Sequence, residues 1–233
     1  MPTSTAAIEI HSRPLVRSNL FVRLLKNPLG LISSLIITII VVAAVTAGFL
    51  APFDPNHTDV MNIMSAPNGN HLLGTDSAGR DVFSRILFGS QATLIAALVV
   101  VLTSVAIGVP AGLLAGYYGG SMDSISSWIA NMLMSLPAMI VLLAVRASFG
   151  ANILSSMVVF GLLIAPSFFR LTRTAVMSVR NELYVDAARV SGLSDARIIA
   201  KHIFTVVRAP IIIQSAMISG IAISIQSGLE YLG

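Results

Sequence analysis

The sequence predicts an all-α protein that crosses a membrane several times as a bundle of transmembrane helices. Three observations carry that prediction. Hydrophobic residues make up 55% of the 233 and charged residues only 10%, against about 25% charged in ordinary soluble domains. The apolar residues fall in runs long enough to cross a bilayer, for which about 20 suffice. The basic residues stand beside those runs rather than inside them.

Five spans follow in order. The first, Leu29–Ala51, carries no charge and is stopped by Pro52 and Pro55. The second, Gln91–Tyr118, is also uncharged and ends at Gly119-Gly120. The third runs from about Ile125 to Val145 and contains Pro137; a short turn at Gly150-Ala151-Asn152 leads to the fourth, Ile153–Phe169. The fifth runs from about Ile211 to Leu229. Pro110, Pro137 and Pro166 are tolerable inside membrane helices, where they bend the axis. The N-terminal apolar run is too long for a secretory signal and lacks its small-residue cleavage pattern.

Charge placement orients the bundle. Four basic residues (Arg13, Arg17, Arg23, Lys26) precede the first span, and seven (Arg170, Arg173, Arg180, Arg189, Arg197, Lys201, Arg208) follow the fourth, out of 14 in all. Both groups are expected in the cytoplasm. The predicted organisation is a cytoplasmic segment 1–28, a first span 29–51, an external loop 52–90, and a core 91–233 with a cytoplasmic segment 170–210. The net charge of +4 therefore reads as membrane topology rather than nucleic-acid binding.

Within the cytoplasmic segment, Tyr184–Pro210 reads as a helix, a bend and a second helix. Asp186-Ala187-Ala188 offers a low, approachable surface, and Gly192 permits a positive-φ turn. Ser194 is a candidate cap for a helix opening at Asp195. The segment is either a plug for a groove on a soluble partner or an ordinary connection between spans. A second polar motif, Gly74-Thr75-Asp76 through Gly79-Arg80-Asp81 to Ser84 and Arg85, makes turns and then opens an amphipathic helix into the second span. Gly108, Gly112, Gly116 and Gly120, at four-residue spacing, form a stripe suited to close helix packing, with a lining for a pathway as the alternative. Met132, Met134, Met139 and Met157 read as soft packing rather than a metal path.

Other chemistries find no support. The chain has no cysteine, so it has no thiolate metal site or disulfide. Its two lysines stand in Lys26-Asn27 and Lys201-His202, neither of which completes a phosphate-binding P-loop. No ionisable residue lies in the middle of a span, which argues against a proton-driven porter and for energy supplied from outside the chain, with a self-sufficient channel or ion-gradient-driven carrier as the alternative. No catalytic or metal site is assigned.

The segment around Tyr184, Asp186, Ala187, Ala188 and Gly192, continuing through Arg197 and His202, resembles the loop of ABC importer permeases that docks on the ATPase subunit. The Gly74–Arg85 motif is similar to the stretch before span two in the C-type permeases of dipeptide, oligopeptide and nickel importers. Two departures stand out. Thr205 occupies the place of a family proline, which should weaken the break before span five, and Asp186 replaces a glutamate. The resemblance implies a type I importer permease with a sixth span beyond Gly233, in a bacterial cytoplasmic membrane. It also implies a second, homologous permease, two ATPases that carry ATP and magnesium, and an external substrate-binding protein. This chain would bind no cofactor. Peptide is the expected cargo, with nickel as the alternative.

Overall fold

The computed structural model describes residues 27–150 and 152–231. The basic residues Arg13 to Lys26, on which the orientation of the N-terminus rests, lie outside them, as does Ala151.

Asn27 opens the first described helix, α1 (Pro28–Val45): its side-chain oxygen accepts the Leu29 N–H at 3.1 Å, and Pro28 sits where a missing N–H costs nothing. The helix is apolar all round and mostly exposed, as befits a surface facing lipid or another membrane chain. A break at Thr46 leads to the short α2 (Ala47–Leu50), and Ala44 and Ala47 are buried where this region meets the bundle. A single 3₁₀ turn, Val60–Asn62, lies in the polar region that follows.

Two long helices form the centre, α3 (Val82–Tyr118) and α6 (Ile153–Val179), and they make the most extensive pairing among the described residues. Their close approach has a cause in the sequence. A β-carbon on Gly112 would fall 2.7 Å from the Phe169 carbonyl oxygen, and one on Gly116 would fall 2.8 Å from Val176 Cβ. Gly108 meets Ala165 and Phe168 in the same way. Gly161 of α6 answers them from the other side, 2.7 Å from Thr103 Cβ. No larger residue fits these positions without moving backbone. Gly120 does not join the stripe. With Gly119 it forms the positive-φ corner that ends α3, and nothing lies near the place of its missing side chain.

Helices α4 (Gly120–Met134) and α5 (Ala138–Phe149) replace the expected continuous third span. They meet at 74°. Pro137 is the reason: it has no N–H to continue the ladder, and it turns Leu136 away from helical geometry. The chain tightens first, with Leu136 N–H bonding Leu133 O at 3.3 Å, and restarts at Ala138.

After α6 come α7 (Leu183–Val190), α8 (Asp195–Ile198), a π-helical turn (Ile199–Ile203) and α9 (Phe204–Tyr231). From Asp195 to Tyr231 the chain forms one long helical rod. Without a proline at Thr205, the π turn takes up the irregularity and the helix continues through it.

Helix ends differ from the sequence reading in a consistent direction. Helix α3 starts nine residues before Gln91, and α6 runs ten residues past Phe169. Apolar runs mark where lipid can cover a helix, but only a breaker marks where a helix ends. Both ends of the stretch 170–210 are helical, since Arg170 and Arg173 belong to α6 and Arg208 to α9. Four helical rods among the described residues are long and apolar enough to cross a membrane, and five if the bent α4–α5 pair counts as one.

Candidate functional site

Helix α7 has two faces. Val185 and Ala188 turn inward and join Ile198, Ile203 and Val207 in the main buried cluster. Ala188 is thus part of the seat of the segment and not of its outer surface. Ala187 faces out between Leu183 (86% exposed) and Val190 (90% exposed). These three residues, at i, i+4 and i+7, make one apolar stripe along a helix that is otherwise polar outside, the pattern of a helix laid into a groove. Leu183 and Val190 were not singled out from the sequence, although their spacing was readable there.

The bend after α7 is a complete Schellman motif. The Gly192 N–H donates to Arg189 O at 2.9 Å, the Leu193 N–H donates to Ala188 O at 3.2 Å, and Gly192 has φ +77°. No atom lies within 4 Å of the place a β-carbon would take. Conformation, not space, demands glycine there. Ser194 has the extended backbone of a cap residue, but its side chain makes no capping hydrogen bond, which leaves Asp195 as the acid in the first turn of α8.

Tyr117, at the end of α3, ties both arms of the bend to the bundle. Its hydroxyl donates to Asp195 Oδ1 at 2.7 Å, while the Arg189 guanidinium lies 5.4 Å from its ring centroid. Arg189 also pairs with Asp186 at 2.9 Å. Arg180 donates to the Gly116 carbonyl at 3.0 Å, capping the same helix end. Sequence reasoning missed Tyr117, since a contact across 78 residues leaves no local signal. Tyr184 and Arg197 are exposed. His202 lies in the π turn with its Nδ1 buried and unpaired.

The Gly74–Arg85 motif forms a polar cap over the start of α3. Asp76 Oδ1 accepts the backbone N–H groups of Ala78 (2.8 Å) and Arg80 (3.0 Å), while Oδ2 takes Arg80 Nε at 2.9 Å and Arg85. The Arg80 backbone N–H and these further donors hold its carboxyl down at about 2. Asp81 caps α3: Oδ2 accepts from the Ser84 N–H (2.8 Å) and hydroxyl (2.7 Å), and Oδ1 lies 2.9 Å from His71 Nδ1. Burial pushes the Asp81 carboxyl up, but Ser84 and His71 outweigh it and its pKa stays low. Ser84 Oγ in turn accepts the Phe53 N–H at 3.2 Å, and Phe53 stacks on His71 at 4.8 Å. Thr75 accepts the Ser65 N–H at 2.9 Å and donates to the Asn62 carbonyl. Gly74 and Gly79, both at positive φ, press against the carbonyls of Ser65 and Asp59. The structure thus brings Gly74, Thr75, Asp76, Gly79, Arg80, Asp81, Ser84 and Arg85 into one network, with Phe53 and Asp59 as members the sequence did not announce.

The comparisons with known proteins accord with this architecture. Residues 108–233 match the family described as the inner membrane component of binding-protein-dependent transport systems. Residues 18–67 match the N-terminal TM domain of oligopeptide transport permease C. A dipeptide transport system permease protein of Alkalihalophilus pseudofirmus is 33% identical over 213 residues, 91% of this chain and 70% of that protein. A probable D,D-dipeptide transport system permease of Escherichia coli K12 is 34% identical over 207 residues, 89% of this chain and 70% of the relative. A glutathione transport system permease of Pectobacterium atrosepticum is 32% identical over 212 residues, covering 91% and 70%. With more than half of its length matched, and with relatives above 30% identity over most of both chains, this chain belongs to the family of inner-membrane permease components of binding-protein-dependent, ABC-type transport systems.

Proposed function

We propose that the chain is the C-type permease subunit of an ATP-driven importer of di- or oligopeptides. It forms half of the translocation path beside a second, homologous permease. The N-terminus and the α7–α8 bend lie in the cytoplasm, and the 53–85 cap lies outside, where an extracytoplasmic binding protein delivers cargo. The observation that carries this reading is the Leu183–Ala187–Val190 stripe, an apolar ridge held outward by a bend whose inner face is locked to the bundle. Two partner ATPases supply the hydrolysis of ATP, and their closure pulls on this ridge. Tyr117 passes the pull to α3, and the bundle tilts between outward-facing and inward-facing states, each with its own contacts. The relatives, named as dipeptide and glutathione transport permeases, favour peptide over nickel as cargo.

Co-purification from native membranes, with mass spectrometry of the partners and a substrate-stimulated ATPase assay, tests the proposal. A second permease and two ATPases should come down with the wild-type chain, and Leu183→Asp should release the ATPases while the permease pair stays together. Recovery of this chain alone, still moving solute on an ion gradient, would overturn it.

A further inference from the structure

Between α4 and α6, away from the coupling segment and the cap, lies a polar cleft of about 320 Å³ lined by Ser127, Asn131, Phe169, Arg170, Arg173 and Thr174. Its charges do not cancel. Arg173 is satisfied by a fork-like pair with Asp123, including Nη2 to Oδ2 at 2.6 Å, and the Ser127 hydroxyl donates to the same carboxylate at 3.1 Å. Arg170 has no acidic partner among the described residues. It donates from Nη2 to the neutral Asn131 Oδ1 at 2.6 Å and is otherwise exposed. A guanidinium carries five N–H donors in a planar fork, so most of this one still points at open space. The cleft has two cations against one anion.

Its place along the helix says what anion would fit. From Ile153 to Phe169, α6 is uncharged for 17 residues, about 25 Å of helix at 1.5 Å per residue. That length nearly fills a hydrocarbon core of about 30 Å, so Arg170 stands at its edge, at headgroup depth. Arg173 and Arg180 follow on the same side. On α4, Trp128 (66% exposed) and Met132 follow directly after Ser127 and Asn131, and both are exposed. An indole at this depth suits the interface, where aromatic rings are enriched. Apolar surface beside an uncompensated guanidinium fits an amphiphile better than a soluble ion.

We propose that this cleft binds the phosphate of an anionic phospholipid from the cytoplasmic leaflet. Arg170 is the main donor, Asn131 holds the guanidinium in position, and the acyl chains lie along the exposed face of α4. The placement in that leaflet rests on the orientation proposed above, but the recognition chemistry does not.

The test is lipid retention by the purified full chain after detergent delipidation and reloading, read by native mass spectrometry. Phosphatidylglycerol and phosphatidylcholine with matched acyl chains are the probes. Wild type should retain phosphatidylglycerol in preference. Arg170→Gln should lower that retention about fivefold, the scale set by one basic residue near an anionic lipid surface, with phosphatidylcholine unchanged. Arg197→Gln, an exposed arginine on α8, should have no effect. Thr174→Leu leaves Arg170 intact but fills the cleft, so it should lower retention even if Arg170→Gln fails to fold. Equal retention in wild type and both cleft variants would overturn the proposal. So would displacement by free glycerol phosphate, or by a dipeptide but not its C-terminal amide, since either would make the cleft a soluble-anion site. Neither failure bears on co-purification with ATPases, so the importer reading stands or falls separately.

Discussion

The Asp76–Asp81 cap and the α7–α8 bend are both polar connections between spans, yet they are built in different ways. In the cap, the carboxylates of Asp76 and Asp81 are fully engaged. Asp81 is only 2% exposed, and its oxygens serve a helix cap, a hydroxyl and His71 at once. These carboxylates hold their neighbours in one arrangement, although Val60, Met61 and Met64 stand bare on the cap's surface. In the bend, the inner face is packed but the outer face leaves Leu183 and Val190 bare. Its charged ties to the bundle are the Tyr117–Asp195 bond, Arg189 over the Tyr117 ring and the Arg189 Nη2 bond to the Arg180 carbonyl at 3.4 Å. The cap is held by a closed polar network, whereas the bend is held by apolar packing on one face and a few polar ties.

The largest expected effect breaks the cap. Asp81→Ala strips partners from His71, from the Ser84 hydroxyl and from the first turn of α3 together. Buried donors left unpaired in this way should cost about 3 kcal/mol or more. Limited proteolysis should then cut within residues 53–80 while α3 and α6 stay protected. A variant as resistant as wild type would show that the network is decoration. The next effect sharpens the other half of the comparison. Tyr117→Phe keeps the ring beneath Arg189 and removes only the bond to Asp195, worth about 1.5 kcal/mol as a hydrogen bond to a charged group. ATPases should still co-purify, but stimulation of hydrolysis by substrate should fall. Unchanged stimulation would mean that force does not pass through Tyr117. Gly192→Val comes third, at about 1–2 kcal/mol for a branched side chain held in left-handed backbone. The bend should swing, uptake should fall and the protein should remain in the membrane, because no neighbour is struck.

What the sequence revealed and what it hid divide along the same line. The cap motif, the Gly192 turn and the close-packed glycines were legible because each is a local demand of backbone geometry on one residue type. The helix ends were not. Arg170 and Arg173 read as the start of a loop because they are charged, yet charge does not stop a helix when the side chains can reach polar partners on a neighbour. Pro137 was visible, but whether it bends a span slightly or breaks it at 74° depends on how α4 and α5 pack. Tyr117, Phe53 and the cleft around Arg170 were hidden because they join residues far apart in the chain. Burial alone decided the two alanines: Ala187 and Ala188 look alike in sequence, and only the side of α7 they occupy sends one outward and one into the core.

The smallest effect separates the two regions by acid. Asp76 is held at about 2, against an ordinary 3.8, by the Arg80 backbone N–H and the donors that follow it. A carboxyl whose pKa is depressed by folding contributes stability that is fully present above 3.8 and is lost as pH falls through about 2. Protease resistance of the cap should therefore decline between about pH 4 and pH 2. Asp59 and Asp81 are also held low, so wild type alone would not isolate Asp76. Asp76→Asn supplies the contrast: the amide cannot ionise, so that variant should start weaker at neutral pH and lose less on acidification, narrowing its gap to wild type as pH approaches 2. The bend has no carboxylate enclosed in this way, since Asp186 and Asp195 are both exposed, one paired with Arg189 and the other accepting the Tyr117 hydroxyl. Proteolysis there should show no matching Asp76-dependent step. A gap that stays constant with pH would mean that Asp76 acts through shape alone, and that the cap's rigidity does not come from its charge.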